Sequence, residues 1–188
     1  MNERGVCLAL INWYSVVQRV ENGTLSRGEV IPSVCTASIK KFVQAGLDGL
    51  PLDRINPFRL ISIFPTSQEV IEWRWDLKQL VRHEHPWRLH QWVSSGFDEP
   101  KAQKVRGRTF KQAQSHKSAG SIAWLRSLHR SHSPQTGPFS ICMHREDAVT
   151  VSYTAVSVFG SRARMEHVRG ALCNSSEVSH HSLHVARA

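Results

Sequence analysis

Eleven histidines and four cysteines are the side chains of this protein best equipped for chemistry, and their spacing decides which chemistry is open to them. His83 and His85 flank Glu84, so on a strand their imidazoles share a face, as a pair of metal ligands would. His129 and His132 are neighbours only if a helix continues past Ser131, which Pro134 opposes. His144 stands two residues after Cys142. No pair has the i, i+4 H-E-x-x-H arrangement, and Cys7, Cys35, Cys142 and Cys173 show no CxxC spacing. The reading is therefore surface or capping histidines and structural thiols, with Cys7 and Cys142 packed as small hydrophobes in strands. No metal and no cofactor is expected. His180, His181 and His184 would bind metal only adventitiously.

A different opportunity lies at Asn12. Six apolar residues, 6–11, follow Gly5, which reads as a sheet-core strand delivering a carboxamide to its C-terminal edge. The plain role of such a residue is to bond the neighbouring loop. Ser94 and Ser95 precede Gly96 and read first as turn residues. Trp73, Trp75, Trp87, Trp92 and Trp124 resemble base-stacking platforms in type, but alternating Trp in a strand is core. The sequence holds no Gly-rich phosphate loop, Gly-x-Ser-x-Gly elbow or nucleotide fingerprint.

The net charge of +9 has a definite address. Between Pro100 and Arg145 there are nine Lys or Arg residues and no Asp or Glu, and the rest of the chain is balanced, 15 basic against 15 acidic. Such a segment meets phosphate, an acidic substrate or a membrane surface, or is a solvated helical face; the last is the reading adopted here. At 188 residues with 40% hydrophobic content, the chain is long and apolar enough to fold around a core. No run approaches the roughly 18 apolar residues of a membrane helix, and residues 6–11 lack a cationic leader, so the expected location is cytoplasmic.

The elements that must position these groups follow from periodicity. Residues 32–46 read as a helix with Ile39, Phe42, Val43 and Leu47 inward, capped by Ser33 or Thr36 and ended by Gly46. Residues 58–64 and 70–75 read as a hairpin whose second strand turns Ile71, Trp73 and Trp75 to the core and Glu72 and Arg74 to water. One short strand falls within 77–91. Helices are expected at 99–114, with Ala102, Val105, Phe110 and Ala113 inward, and at 121–129, burying Ile122, Leu125 and Leu128. Strands at 139–143 and 149–155 follow, the latter turning Val149, Val151, Tyr153 and Ala155 to one face; 162–169 adds an edge strand, and 174–188 reads as a frayed tail. Antiparallel pairs with intervening helices make the fold class α+β.

The run Met1-Asn2-Glu3-Arg4-Gly5, its apolar strand and Asn12 together resemble the Asn-Glu-x-Gly-(apolar)-Asn segment of N-terminal-nucleophile amide hydrolases of the cholylglycine hydrolase kind. They are more similar still to the NRDE family, also called the transport and Golgi organisation family. Asn56-Pro57-Phe58-Arg59-Leu60-Ile61, the strand from Ile71 to Asp76, Ser94-Ser95-Gly96-Phe97-Asp98 and the stretch from Gly137 to Arg145 resemble segments of that family in their usual order, so the likeness covers residues 1–173.

The resemblance implies a four-layer αββα sandwich over 1–173, with a disordered tail at 174–188. It implies hydrolysis of a carbon–nitrogen amide bond by an N-terminal Cys, with Asn12 as oxyanion donor and Ser94 or Ser95 where related hydrolases place a second Asn. The Asn-Arg-Asp-Glu tetrad and the Cys after the initiator Met are absent, so the first strands and the nucleophile are expected to be missing and the chain inactive as written. Loss of Met1 would expose Asn2, which is no nucleophile of this kind. An apolar surface left open beside residues 6–11 would follow. The expected partner is a small-molecule amide. The alternative is a non-catalytic carrier or trafficking factor taking an apolar ligand, haem or lipid, as the family's eukaryotic relatives imply. A third reading, nucleic-acid binding through 100–145, rests on charge alone and implies no specific nucleic acid.

Overall fold

The computed structural model describes residues 1–21, 24–175 and 177–186, which leaves Ser176, Arg187 and Ala188 of the expected tail outside the described residues. The chain divides into two compact units, one of residues 1–88 with 184–188 and one of residues 89–183. Both are mixed α and β with antiparallel sheets, in keeping with the α+β class.

The first unit is an antiparallel sheet of β1 (Cys7–Asn12), β2 (Phe58–Phe64), β3 (Glu69–Trp75) and β4 (Leu80–His85), in that spatial order. On one face lie α1 (Val30–Val34) and α2 (Lys40–Asp48). Val30, Val34, Val43 and Leu47 of the helices are buried in one cluster with Phe58, Leu60, Trp73 and Trp75 of the sheet. The two indoles are bound at their polar edges: Trp73 Nε1 donates to Gln44 Oε1 at 2.8 Å and Trp75 Nε1 to the Ile55 carbonyl at 2.8 Å.

The one helix expected at 32–46 is two. Residues 35–39 break it, and Gly46 serves contact rather than termination: a Cβ there would meet the Ser33 carbonyl at 2.4 Å. Only a glycine lets the helices approach so closely. Neither Ser33 nor Thr36 caps α2, whose N-cap is Ile39, and Ile39 and Phe42 lie exposed.

The hairpin forms as expected, but its second face is not wet. Glu72 is fully buried; its Oε2 accepts from Arg74 Nη2 at 2.9 Å and sits 2.8 Å from His85 Nε2. Cross-strand register puts His83 opposite Glu72 and His85 opposite Val70, so the two histidines do share a face, with Glu72 rather than with a metal site.

β1 is an edge strand, not a central one. Leu8 and Leu10 pack on the core and no large β1 side chain is among the exposed hydrophobics, so the expected open apolar surface is not seen there. The turn before β1 explains the Asn-Glu-x-Gly run locally. Buried Asn2 donates through Nδ2 to the Cys35 and Ala37 carbonyls and accepts from the Arg4 and Val6 amides, while Gly5 takes φ +76°. The returning C-terminal segment closes over this turn: Val185 packs on Gly5, and the Ala186 amide donates to the Glu3 carbonyl at 2.9 Å.

The second unit contains α3 (Glu99–Ala113), α4 (Ile122–Arg130) and a sheet of β5 (Ser152–Phe159), β6 (Arg162–Arg169) and β7 (Val178–His184). Asp98 and Ser121 cap the helices through their side chains. Trp124 and Leu128 are the buried residues of α4, while Ile122 is exposed. β6 is the central strand of its sheet, not an edge, because β7 forms within the expected tail. That strand is almost wholly exposed, so no apolar alternation announced it. Tyr153 and Ala155 turn inward as expected, but Val149 and Val151 precede the strand and are exposed.

Residues 139–143 are bends, not a strand. Around them side chains take several backbone oxygens: the Arg106 guanidinium donates to the carbonyls of Pro138 and Ser140, and the buried Ser140 hydroxyl lies 2.9 Å from the Gly137 oxygen and 2.6 Å from that of Cys142, while the Met143 carbonyl accepts from the Thr150 amide. No helix among the described residues is long and apolar enough to cross a membrane.

Candidate functional site

Asn12 is the last residue of β1 and pairs with Phe58, which puts it on the helix-covered face of the sheet. Its Nδ2 donates to the Tyr14 hydroxyl at 3.0 Å, leaving that hydroxyl's own proton available to an acceptor. Two cations stand close by. Arg19 holds its guanidinium carbon 5.8 Å from the Tyr14 ring centre, bonded to the carbonyls of Val16 and Gln18. Arg27 donates through Nε to the Pro57 carbonyl at 2.9 Å. Burial lowers the Arg27 guanidinium from its usual value, Tyr14 raises it and Arg19 lowers it further. The strand end is thus a set of neutral donors beside two guanidiniums, an arrangement suited to negative charge. Tyr14, Arg19 and Arg27 are additions to the residues singled out from sequence; an Asn-x-Tyr at a strand end was the available signal.

Ser94 and Ser95 belong to the second unit. Ser94 lines a pocket of about 260 Å³ with His90, Trp92, Arg106, Phe110 and His129, and its carbonyl accepts from Arg106 Nη1 at 3.3 Å. Ser95 Oγ accepts from the Phe97 amide at 3.4 Å, the part of a turn residue.

No cysteine is poised as an activated nucleophile at the Asn12 edge. Cys7 lies at the opposite end of β1, and burial raises its thiol. Cys35 is exposed, with Sγ donating to the Pro32 carbonyl at 3.3 Å.

Cys142 and Cys173 are not scattered thiols. They meet His132 and His144 in one cluster whose ligand atoms lie within 4.8 Å of one another. The two sulfurs are 3.4 Å apart, and His144 Nε2 is 3.7 Å from Cys142 Sγ and 3.3 Å from Cys173 Sγ. The His132 and His144 rings meet edge to face with centres 5.0 Å apart, and His132 Nε2 is buried with no hydrogen-bond partner among the described residues. Burial, then the bond to Cys173, raises the Cys142 thiol. Only Cys142 and His144 are close in sequence, and no CxxC or H-x-x-x-H announces the set.

The basic segment is largely absorbed by structure. Arg106, Arg126, Arg130 and Arg145 bond carbonyls or carboxylates within the second unit. Lys101, Lys104, Arg108 and Lys111 are exposed on α3, spaced to share one helical face, and Lys117 is exposed beyond its end. Polyanion binding is therefore expected to be indifferent to sequence. Its logarithmic salt slope should be no steeper than about −4.5, at about −0.9 per neutralised phosphate. A steeper slope, or a preferred sequence surviving high salt in a filter-binding titration, would reverse that expectation.

No protein-family model matches the chain, and neither does any curated protein sequence.

Proposed function

We propose that the chain carries the scaffold of a carbon–nitrogen amide hydrolase of the N-terminal-nucleophile, NRDE-like type, arranged as the αββα sandwich. In this reading Asn12 is the donor to the tetrahedral oxyanion. The observation that supports it is the end of β1, where the Asn12 carboxamide, the Tyr14 hydroxyl and the guanidiniums of Arg19 and Arg27 gather at one edge. An oxyanion forming there would meet the Asn12 carboxamide and the Tyr14 hydroxyl within a positive field. Attack requires a thiol, and within the first unit Cys7 lies at the other end of β1 while Cys35 is exposed. The 188-residue chain is therefore expected to be inactive by itself.

The test compares this chain with one carrying whatever reading frame the gene encodes upstream, using amide substrates and a thiol-directed amide analogue. If that frame supplies an N-terminal Cys, the longer form should hydrolyse amides through it, and Asn12→Ala should lower its turnover by about 10²–10³-fold. Hydrolysis by the short chain would overturn these roles. An unreactive longer form would leave binding without chemistry, the carrier of an apolar ligand, as the surviving reading.

A further inference from the structure

We propose that His132, Cys142, His144 and Cys173 form a structural Zn²⁺ site that holds the second unit together.

The distances are those of a tetrahedron waiting for its centre. Bonds of about 2.3 Å to sulfur and about 2.0–2.1 Å to nitrogen give edges of about 3.8 Å between sulfurs and about 3.5 Å between sulfur and nitrogen. The cluster has 3.4 Å between its sulfurs and 3.3 and 3.7 Å from sulfur to His144 Nε2. The fourth member, His132, carries the independent sign: a buried Nε2 without any hydrogen-bond partner among the described residues, an expensive condition that a metal bond removes.

The donor set selects the ion. Two thiolates and two imidazoles suit Zn²⁺, and four protein ligands close the coordination sphere, as in structural rather than catalytic sites. Charge also balances. Zn²⁺ displaces one proton from each cysteine, and the resulting two thiolates and two neutral imidazoles leave a site of zero net charge, which tolerates burial.

The fold around the cluster explains why an ion would be needed. The ligands come from three places: His132 just after α4, Cys142 and His144 from the segment between α4 and β5, and Cys173 from the turn after β6. That segment runs from Arg130 to Ser152 without a helix or strand, longer than the roughly 12–15 residues that connections usually tolerate without another anchor. The local apolar cluster is small: Tyr153, Ala155, Val168 and Leu172, with Val178 against it. Fixed bonds already aim the ligands. The Cys142 amide donates to the Ser131 carbonyl at 3.0 Å, and Arg130 Nε donates to the Leu172 carbonyl at 3.2 Å, beside Cys173. A Cys142–Cys173 disulfide or a Cys173–His144 nucleophile pair would each use only two of the four groups and leave His132 unexplained.

The experiment takes the full chain, purified from zinc-supplemented medium, and measures bound metal by mass spectrometry. Chelation followed by Co²⁺ titration then reads the geometry. One Zn²⁺ per chain is expected, together with the visible bands of tetrahedral Co²⁺ and a thiolate-to-cobalt charge-transfer band. Cys35→Ser, outside the cluster, should retain both. Cys142→Ser, Cys173→Ser and His132→Ala should each lose the ion or bind it more than about 100-fold weaker, exceeding the typical loss from an outer-shell change.

Thiol titration of the unmutated protein covers the case of variants that do not fold. Zinc should protect Cys142 and Cys173 from alkylation, and chelation should expose them. The proposal is overturned by metal-free protein whose Co²⁺ complex lacks the charge-transfer band, by the mass of a Cys142–Cys173 disulfide, or by alkylation of Cys173 faster than Cys35 with zinc present.

Discussion

Replacing Trp73 by Ala is expected to cost about 3–5 kcal/mol, the range for deleting a buried indole. Trp73 is fully buried, stands opposite Leu60 across the hairpin and belongs to the cluster that includes Val43 and Leu47 of α2. The substitution removes dispersion contacts on both sides and leaves a void between helix and sheet. It also strands Gln44 Oε1, which accepts from the indole at 2.8 Å and sits close enough to the core to feel the loss. Phe42→Ala is the matched control, because that ring is 55% exposed despite its place on the same helix, and it should cost less than about 1 kcal/mol. Denaturant titration measures both. A Trp73→Ala loss no larger than the Phe42→Ala loss would mean that the helices do not rest on this sheet.

Glu72→Ala is expected to destabilise as well, by about 1–3 kcal/mol, for a different reason. Its carboxylate is wholly buried against Arg74 and His85, so removing it leaves cationic or polar partners in a site built for a negative charge. Glu69→Gln is the comparison. That carboxylate meets Lys40 at 2.6 Å, yet both side chains are about one-third exposed, and solvent screening leaves such a pair contributing little. If the two substitutions cost the same, the buried network contributes no more than a surface bridge.

These two neighbours show what the sequence made legible. The alternation of Ile71, Trp73 and Trp75 identified the strand and its core face correctly, because apolar burial has a period. The same alternation misassigned Glu72 to water. A charged residue on the opposite face looks alike in sequence whether solvent or the side chains of Arg74 and His85 answer it. β7 was missed for the complementary reason: residues 178–184 bury almost nothing and are ordered by backbone pairing, which leaves no apolar imprint.

The candidate sites divide in the same way. Asn12 was readable because a strand of apolar residues points to its own end, and the structure places it there. Its neighbours Arg19 and Arg27 come from a loop whose path depends on tertiary contacts such as the Arg27 bond to Pro57. The cysteine and histidine cluster was illegible for a stronger reason. Its four members are spread from residue 132 to residue 173, and only the return of the chain after β6 brings Cys173 beside Cys142. Isolated Ser95 behaved as its local sequence says, a turn residue before Gly96.

The contact of Val185 with Gly5, and of Ala186 with Glu3, sets an order on the ribosome. The first unit takes its sheet from residues 1–88 but includes residues 184–186, so it cannot finish when that sheet has emerged. Translation must first deliver the whole second unit, an interval of roughly 5–20 s at about 5–20 residues per second. Throughout that interval the turn at Gly5 stands without its cover while its hairpin is already available to pair. Nascent-chain proteolysis should therefore cut near Glu3 and Arg4 until residues 184–186 leave the ribosome, and a stalled chain ending at residue 183 should stay sensitive there.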